Sequence, residues 1–217
     1  MQRRRFLAFA LGGLGASMAG CRGTQFGRVI KPGDTEMVGS HKAGGETYKP
    51  LVDEAVAKLL ARHGPSPHTM ASHTSPPIYP KRICFVCVEN KTSEEMGDFK
   101  DQLYQHIDSR ILESGVFQSV SKRYVDAGLS QVRIRPDQLF VPDNMRTFVA
   151  IMEQQGQPFD FLLYATVTSG TTQENKDYQR DYLLTLELVH VQSGQHDKQS
   201  AMISKGYHQS RLGRLFK

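Results

Sequence analysis

Little in this sequence points to chemistry. Three cysteines occur in 217 residues, and once Cys21 is set aside a single Cys-x-x-Cys pair remains, Cys84 and Cys87. That pair lies in the β-prone run Ile83-Cys84-Phe85-Val86-Cys87-Val88. In a regular strand, residues three apart face opposite sides with Cα atoms about 10 Å apart, beyond the ~7 Å a disulfide tolerates. A dithiol centre would need the pair at a helix N-terminus. Two buried structural thiols are therefore expected. Strong net charge is also missing. The chain carries 27 Lys and Arg against 22 Asp and Glu, and removing residues 1–20 takes away three Arg and no acid, which leaves +2. A nucleic-acid partner is not indicated by that balance. There is no Gly-rich phosphate loop, His-Glu-x-x-His helix or Gly-x-Ser-x-Gly elbow, so neither an enzyme nor a cofactor is expected. After the first 20 residues no apolar run approaches the ~20 needed to span a bilayer.

What is present begins with a signal. Arg3-Arg4-Arg5 precedes an uncharged segment, residues 6–19, that ends in Met18-Ala19-Gly20-Cys21. A basic start, an apolar stretch and small residues before a cleavage point are the parts of an export signal. A cysteine at that point makes it a lipobox, in which the Cys21 thiol carries lipid and becomes the first residue of the mature chain. A plain signal peptide with an incidental cysteine, or a short anchor, is the alternative. Arg3-Arg4-Arg5-Phe6-Leu7 fits a twin-arginine signal as well as an ordinary basic leader, so the export route stays open.

Residues 21–49 have few large apolar side chains and are expected to form a flexible tether, about 90–100 Å long when extended. A single domain of residues 50–210 should follow. It opens with a helix over residues 51–62, with Leu51, Ala55, Val56, Leu59 and Leu60 on one stripe and Pro50 in its first turn. Residues 64–80 are Pro-rich. The evenly spaced His63, His68 and His73 could suggest metal, but no cysteine or carboxylate accompanies them, and a linker is the better reading.

A strand over residues 82–88 comes next. Thr92 and Glu95 form a capping-box pattern ahead of a helix striped by Met96, Phe99, Leu103, Ile107 and Ile111, with Gly115 as its stop. A short strand at 116–120, a helix near 123–131 interrupted by Gly128, a turn at Arg135-Pro136-Asp137 and a helix from Pro142 with Met145, Phe148, Val149 and Met152 inward follow in order. The last third is strand: residues 160–168, a polar turn at 169–176, residues 183–191 with Leu184, Leu186 and Leu188 on one face, the Ser193-Gly194 turn, and residues 201–207. The order implies an α/β chain of the α+β type, with a single mixed sheet of four or five strands flanked by helices.

Candidate functional residues are few. Asn90-Lys91-Thr92 reads as a turn and helix cap rather than a glycosylation acceptor. His190 and the His196-Asp197 pair read as solvated surface groups. The basic tail, residues 211–217 with Arg211, Arg214 and Lys217, suits either an anionic partner or a frayed terminus. One contact surface can be named: Tyr178, Arg180 and Tyr182 share a side of an extended strand, and Tyr and Arg are favoured in interface hot spots.

Cys21, the helix from Leu51, the segment Val86-Cys87-Val88-Glu89-Asn90-Lys91-Thr92, the run Leu184-Thr185-Leu186-Glu187-Leu188-Val189 before Ser193-Gly194, and Ser204-Lys205-Gly206 occur in that order. On these residues the sequence resembles the penicillin-binding protein activator LpoB family, over about three-quarters of the mature chain. The resemblance implies a fold like the N-terminal domain of TolB, and an outer-membrane lipoprotein held by lipid at Cys21 and facing the periplasm. It also implies a class A penicillin-binding protein as partner, bound and stimulated without catalysis by this chain. Arg22 fits that location, since it is not the Asp that retains lipoproteins in the inner membrane. Similar domains occur in lipoproteins of curli-type export channels, so a component of an envelope assembly or secretion apparatus is the alternative. Pores of that kind insert alternating strands of about 9–11 residues, and the sequence offers none to spare.

Overall fold

A computed structural model describes residues 43–64, 81–174 and 177–208. Among the described residues ten elements follow in order: α1 (Gly45–His63), β1 (Lys81–Lys91), α2 (Phe99–Ser114), β2 (Phe117–Ser119), α3 (Lys122–Val132), a 3-10 turn (Pro136–Phe140), α4 (Pro142–Gln154), β3 (Phe161–Glu174), β4 (Asp177–His190) and β5 (His196–His208). The strands make one mixed sheet in the order β2-β1-β3-β4-β5. β1 is parallel to both β2 and β3, and the β3-β4-β5 run is antiparallel.

Alternation along the strands sends side chains to two cores. On one face Phe85, Leu163, Ala165, Val167, Leu184, Leu186 and Leu188 meet Leu51, Val52, Ala55, Val56 and Leu59 of α1 and Leu103, Ile107 and Ile111 of α2. On the other, Cys84, Val86, Leu162 and Tyr164 meet Val125 and Leu129 of α3, Leu139 of the turn, and Phe148 and Met152 of α4. Helices therefore cover both faces, and the expected fold class holds with five strands.

Several elements differ from the sequence expectation, each for a local reason. α1 begins at Gly45 rather than near residue 51, and Pro50 lies inside it. The extra turn is held because Thr47 and Tyr48 are buried and their N–H groups donate to the Gly44 carbonyl at 2.9 and 3.1 Å. The last residues of the stretch expected as tether thus join the core.

The capping box at Thr92 and Glu95 does not form, and α2 starts only at Phe99, without a side-chain cap. Met96 is nonetheless buried against the core. The turn expected over residues 169–176 is largely strand, since β3 continues to Glu174 and β4 begins at Asp177. β5 also starts earlier than expected, at His196.

The two thiols do not face opposite sides. A bulge between Phe85 and Cys87 shifts the β1 register against β3, so Cys84 and Cys87 both pack on the α3-α4 side. An added residue in a strand reverses the alternation that follows it. Cys84 is buried and Cys87 half-buried, and both are free. Burial raises both thiols, that of Cys87 to about 11, with the nearby Glu89 charge adding to the effect. Neither is a nucleophile at neutral pH.

Gly128 does not interrupt α3, which runs through it. A Cβ there would stand 2.8 Å from Met152 Sδ and 3.0 Å from Phe148 Cε2. The glycine lets two helices approach. Gly128→Ala would gain about 1 kcal/mol of helix propensity and lose more to overpacking. We expect a net loss of about 1–2 kcal/mol, read as a lower denaturant midpoint at unchanged slope; a midpoint at or above that of the parent would show that Met152 moves aside freely.

Candidate functional site

The conspicuous polar cluster gathers on Glu94. After β1, Thr92 donates its N–H and hydroxyl to Asn90 Oδ1 at 3.0 and 2.8 Å, Asn90 Nδ2 donates to the Glu94 carbonyl at 2.7 Å, and Glu94 N–H donates to Thr92 Oγ1 at 3.1 Å. Asn and Thr close tight turns in this way. The residues expected to cap α2 instead aim the Glu94 carboxylate across the sheet.

That carboxylate is 9% exposed. Its Oε2 accepts the Ala43 N–H at 3.0 Å, and Oε1 accepts the Tyr182 hydroxyl at 3.0 Å and the Arg180 guanidinium. Burial alone would raise its pKa, but the Ala43 and Tyr182 hydrogen bonds and the Arg180 charge outweigh burial and hold it below the usual carboxylate range. Three parts of the chain meet here: the segment entering α1, the turn after β1, and β4 through two of its positions.

The sequence-derived contact residues separate on this frame. Tyr182 is fully buried, edge-on to Tyr48 with ring centroids 6.3 Å apart, and does not form an accessible contact. Arg180 is partly buried, pairs with Glu94, and donates from Nε to Thr171 Oγ1 at 3.2 Å. The reason lies in the alternation itself. Positions 180 and 182 share a parity with Leu184, Leu186 and Leu188, so a β4 that starts at Asp177 turns them to the same side as the core. Tyr178 stands opposite Gln173 of β3 and Tyr207 of β5 in the register. Cys21 and the basic tail lie outside the described residues.

Further ties bind α1 to β5. Lys205 Nζ pairs with Glu46 at 2.9 Å, Lys58 Nζ donates to the Ser200 carbonyl at 2.9 Å, and Arg62 and His63 hold Asp197 at 3.0 and 3.1 Å. Asp197 is therefore a clasp on the C-terminus of α1, not half of a solvated pair. The His63 ring also packs against Phe117 and Phe161, with centroids 5.5 and 6.1 Å away. His68 and His73 lie outside the described residues, and among the described residues no group of three His, Cys, Asp or Glu is arranged to hold a metal.

Beside the Glu94 cluster, Tyr48, Phe99, Leu103 and His106 line an open groove of about 400 Å³ between α1 and α2. Glu94 and Lys205 were not legible as functional in the sequence. Each acts through a partner more than 80 residues away, and the sole local sign was the Asn-x-Thr-x-Glu turn that carries Glu94.

A single mixed sheet with helices on both faces, whose main polar cluster ties its own elements together, defines a sheet-based α+β domain. The chain belongs to the peptidoglycan-synthase activator LpoB family, whose model matches residues 52–196 of the 217. None of the curated proteins compared with the sequence matches it. Among solved structures it is similar to the LpoB C-terminal domain from Salmonella enterica, at 15% identity over 75% of this chain and 98% of that one, with a TM-score of 0.46. The corresponding domain from Escherichia coli is 16% identical over 71% of this chain and 97% of that one, also at 0.46. Lipoprotein GNA1162 from Neisseria meningitidis is 20% identical over 63% and 90%, at 0.42.

Proposed function

We propose that this chain is an exported lipoprotein, acylated at Cys21 and held at the outer membrane facing the periplasm, whose domain binds a class A penicillin-binding protein and stimulates it. The observation that carries this reading is the family match, which spans the domain from α1 to the start of β5. Met18-Ala19-Gly20-Cys21 followed by Arg22 supports the anchor and its location.

Stimulation requires the domain to bind the active form of the synthase more tightly than the inactive one, since equal affinity for both shifts nothing. This chain's part is then to present a rigid surface. The Glu94 cluster serves that role by fixing β4 to the entry of α1. Arg180 and Tyr182 act from within it, and Tyr178, the second residue of β4, is the residue of the three proposed to touch the synthase.

The test is binding between class A synthases purified from the same organism and the chain from residue 22 onward. One synthase should bind, and Tyr178→Ala should weaken it by about 2 kcal/mol, roughly thirtyfold, as expected of a hot-spot tyrosine. If no synthase binds, the activator reading fails and an envelope-assembly role takes its place. Unchanged affinity in Tyr178→Ala would move the contact elsewhere.

A further inference from the structure

The pairing register leaves one stretch of sheet open. β1 accompanies β3 only as far as Lys91 opposite Thr168. β3 continues to Glu174 with β4 beside it, and β5 follows to His208 opposite Asp177. Residues 169–174 of β3 therefore have a strand neighbour on one side only, among the described residues.

The phase of the ladder shows which groups face the open side. Val191 N–H donates to the Asp160 carbonyl at 3.0 Å, toward β3, while His190 N–H donates to the Gln195 carbonyl at 2.8 Å, away from it. Pairing then runs unbroken from Phe161 opposite His190 to Glu174 opposite Asp177. Antiparallel strands alternate bonded and non-bonded pairs, so odd positions of β4 bond to β3, and even positions of β3 answer them. The N–H and C=O groups of Thr171 and Gln173, beyond the last β1 pair, consequently point out of the sheet.

Natural edges of this length are blunted by Pro, Lys, bulges or a covering segment. Residues 169–174, Ser-Gly-Thr-Thr-Gln-Glu, contain neither Pro nor Lys, and their pairing with β4 has no bulge. Residues 170–173 are exposed, and nothing lies within 4 Å of where a Cβ on Gly170 would stand. Such an edge is a template for another strand.

We propose that the open edge of β3 receives an extended segment of the partner synthase as an added strand, bonded through Thr171 and Gln173. The proposal rests on the activator reading, because the synthase supplies the segment, and the edge is continuous with the position of Tyr178, opposite Gln173. Charge narrows the chemistry of the occupant. Residues 169–182 carry three acids, Glu174, Asp177 and Asp181, against Lys176 and Arg180, and Arg180 is already neutralised by Glu94 from outside the hairpin. The added segment carries Lys or Arg.

The test uses the full chain in detergent with the purified synthase. Thr171→Pro removes one outward N–H and leaves the β4 ladder intact, because Pro is tolerated where an edge N–H faces solvent. It should weaken synthase binding at least tenfold, whereas Thr171→Ala should not. Hydrogen exchange on the unmodified chain needs no variant to fold: the Thr171 and Gln173 amides should slow at least tenfold when the synthase is added. Equal binding by Thr171→Pro, or amides that stay fast in the complex, would overturn the edge proposal and leave the activator reading standing. Absence of binding by the unmodified chain would remove both. Slowing of the same amides in the chain alone, growing with its own concentration, would overturn the proposal in favour of pairing between two copies.

Discussion

Glu94→Ala is expected to lower the unfolding free energy by about 2–4 kcal/mol. Removing one member of a buried charged pair leaves the other uncompensated, at about 3–5 kcal/mol when both are fully buried. Arg180 is 21% exposed, so water can reach its guanidinium and the figure falls toward the lower part of that range. The Tyr182 hydroxyl and the Ala43 N–H also lose an acceptor, each worth about 1 kcal/mol. Glu94→Gln keeps the shape and one acceptor oxygen, so it should cost less. Urea unfolding of the two variants separates charge from shape, and equal losses would mean that the charge contributes nothing.

Acid should act through the same residue. The folded state holds Glu94 below its ordinary value of 4.5, so its contribution is fully present above about that pH. It is lost as pH falls through the lower folded value. Glu46 and Asp53 are lowered as well, each against burial, by Lys205 and by Arg110 with His106, and contribute with the same sign. Asp108 is raised by burial, so it favours the folded state below its ordinary value and loses that contribution as pH rises through the folded one. Comparison of the parent with Glu94→Gln isolates Glu94: the gap in stability between them should shrink as pH drops below 4.5, and a gap that stays constant would contradict the account.

Phe148→Ala is expected to cost about 3–5 kcal/mol, the usual loss for a large aromatic in a core. The ring is fully buried, 5.7 Å from Phe159 and against the bare face of Gly128. Met152 can swing into part of the space because its chain is unbranched, which favours the lower half of the range. Leu139, Leu162 and Val125 are held by the 3-10 turn, the sheet and α3, so the cavity does not close. Set against the 5–15 kcal/mol typical of a domain, the variant should be close to unfolding, with a urea midpoint well below that of the parent. A loss under 1 kcal/mol would mean that the α3-α4 layer contributes little to the fold.

The sequence carried the layers better than the ends of the elements. Periodicity in Leu103, Ile107 and Ile111 and the alternation of Leu184, Leu186 and Leu188 marked core faces that the structure retains. Those signals are local and apolar. Boundaries went astray where polar side chains had two local uses. Thr92 could cap a helix or close a turn with Asn90, and the turn won because it delivers Glu94 to Arg180, a partner 86 residues away in sequence. The polar residues 169–174 read as a turn because nothing in them is apolar, yet β4 gives each a cross-strand partner. The bulge in β1 leaves no mark in an unbroken apolar run, which is why Cys84 and Cys87 were placed on opposite faces. For the contact surface the information was present and misread: Tyr182 shares the parity of the buried leucines. The expected lipobox, Met18-Ala19-Gly20-Cys21, lies outside the described residues.

Activation of a class A peptidoglycan synthase is what we propose for this domain. The direct measurement is the rate of glycan polymerisation by each such synthase from the same organism, with and without a stoichiometric amount of the chain from residue 22 onward. One synthase should accelerate severalfold, and the gain should disappear at matched concentration with Tyr178→Ala, whose unfolding midpoint should stay that of the parent. Rates unchanged by the chain for every synthase, with the domain shown folded by its unfolding transition, would contradict the proposal.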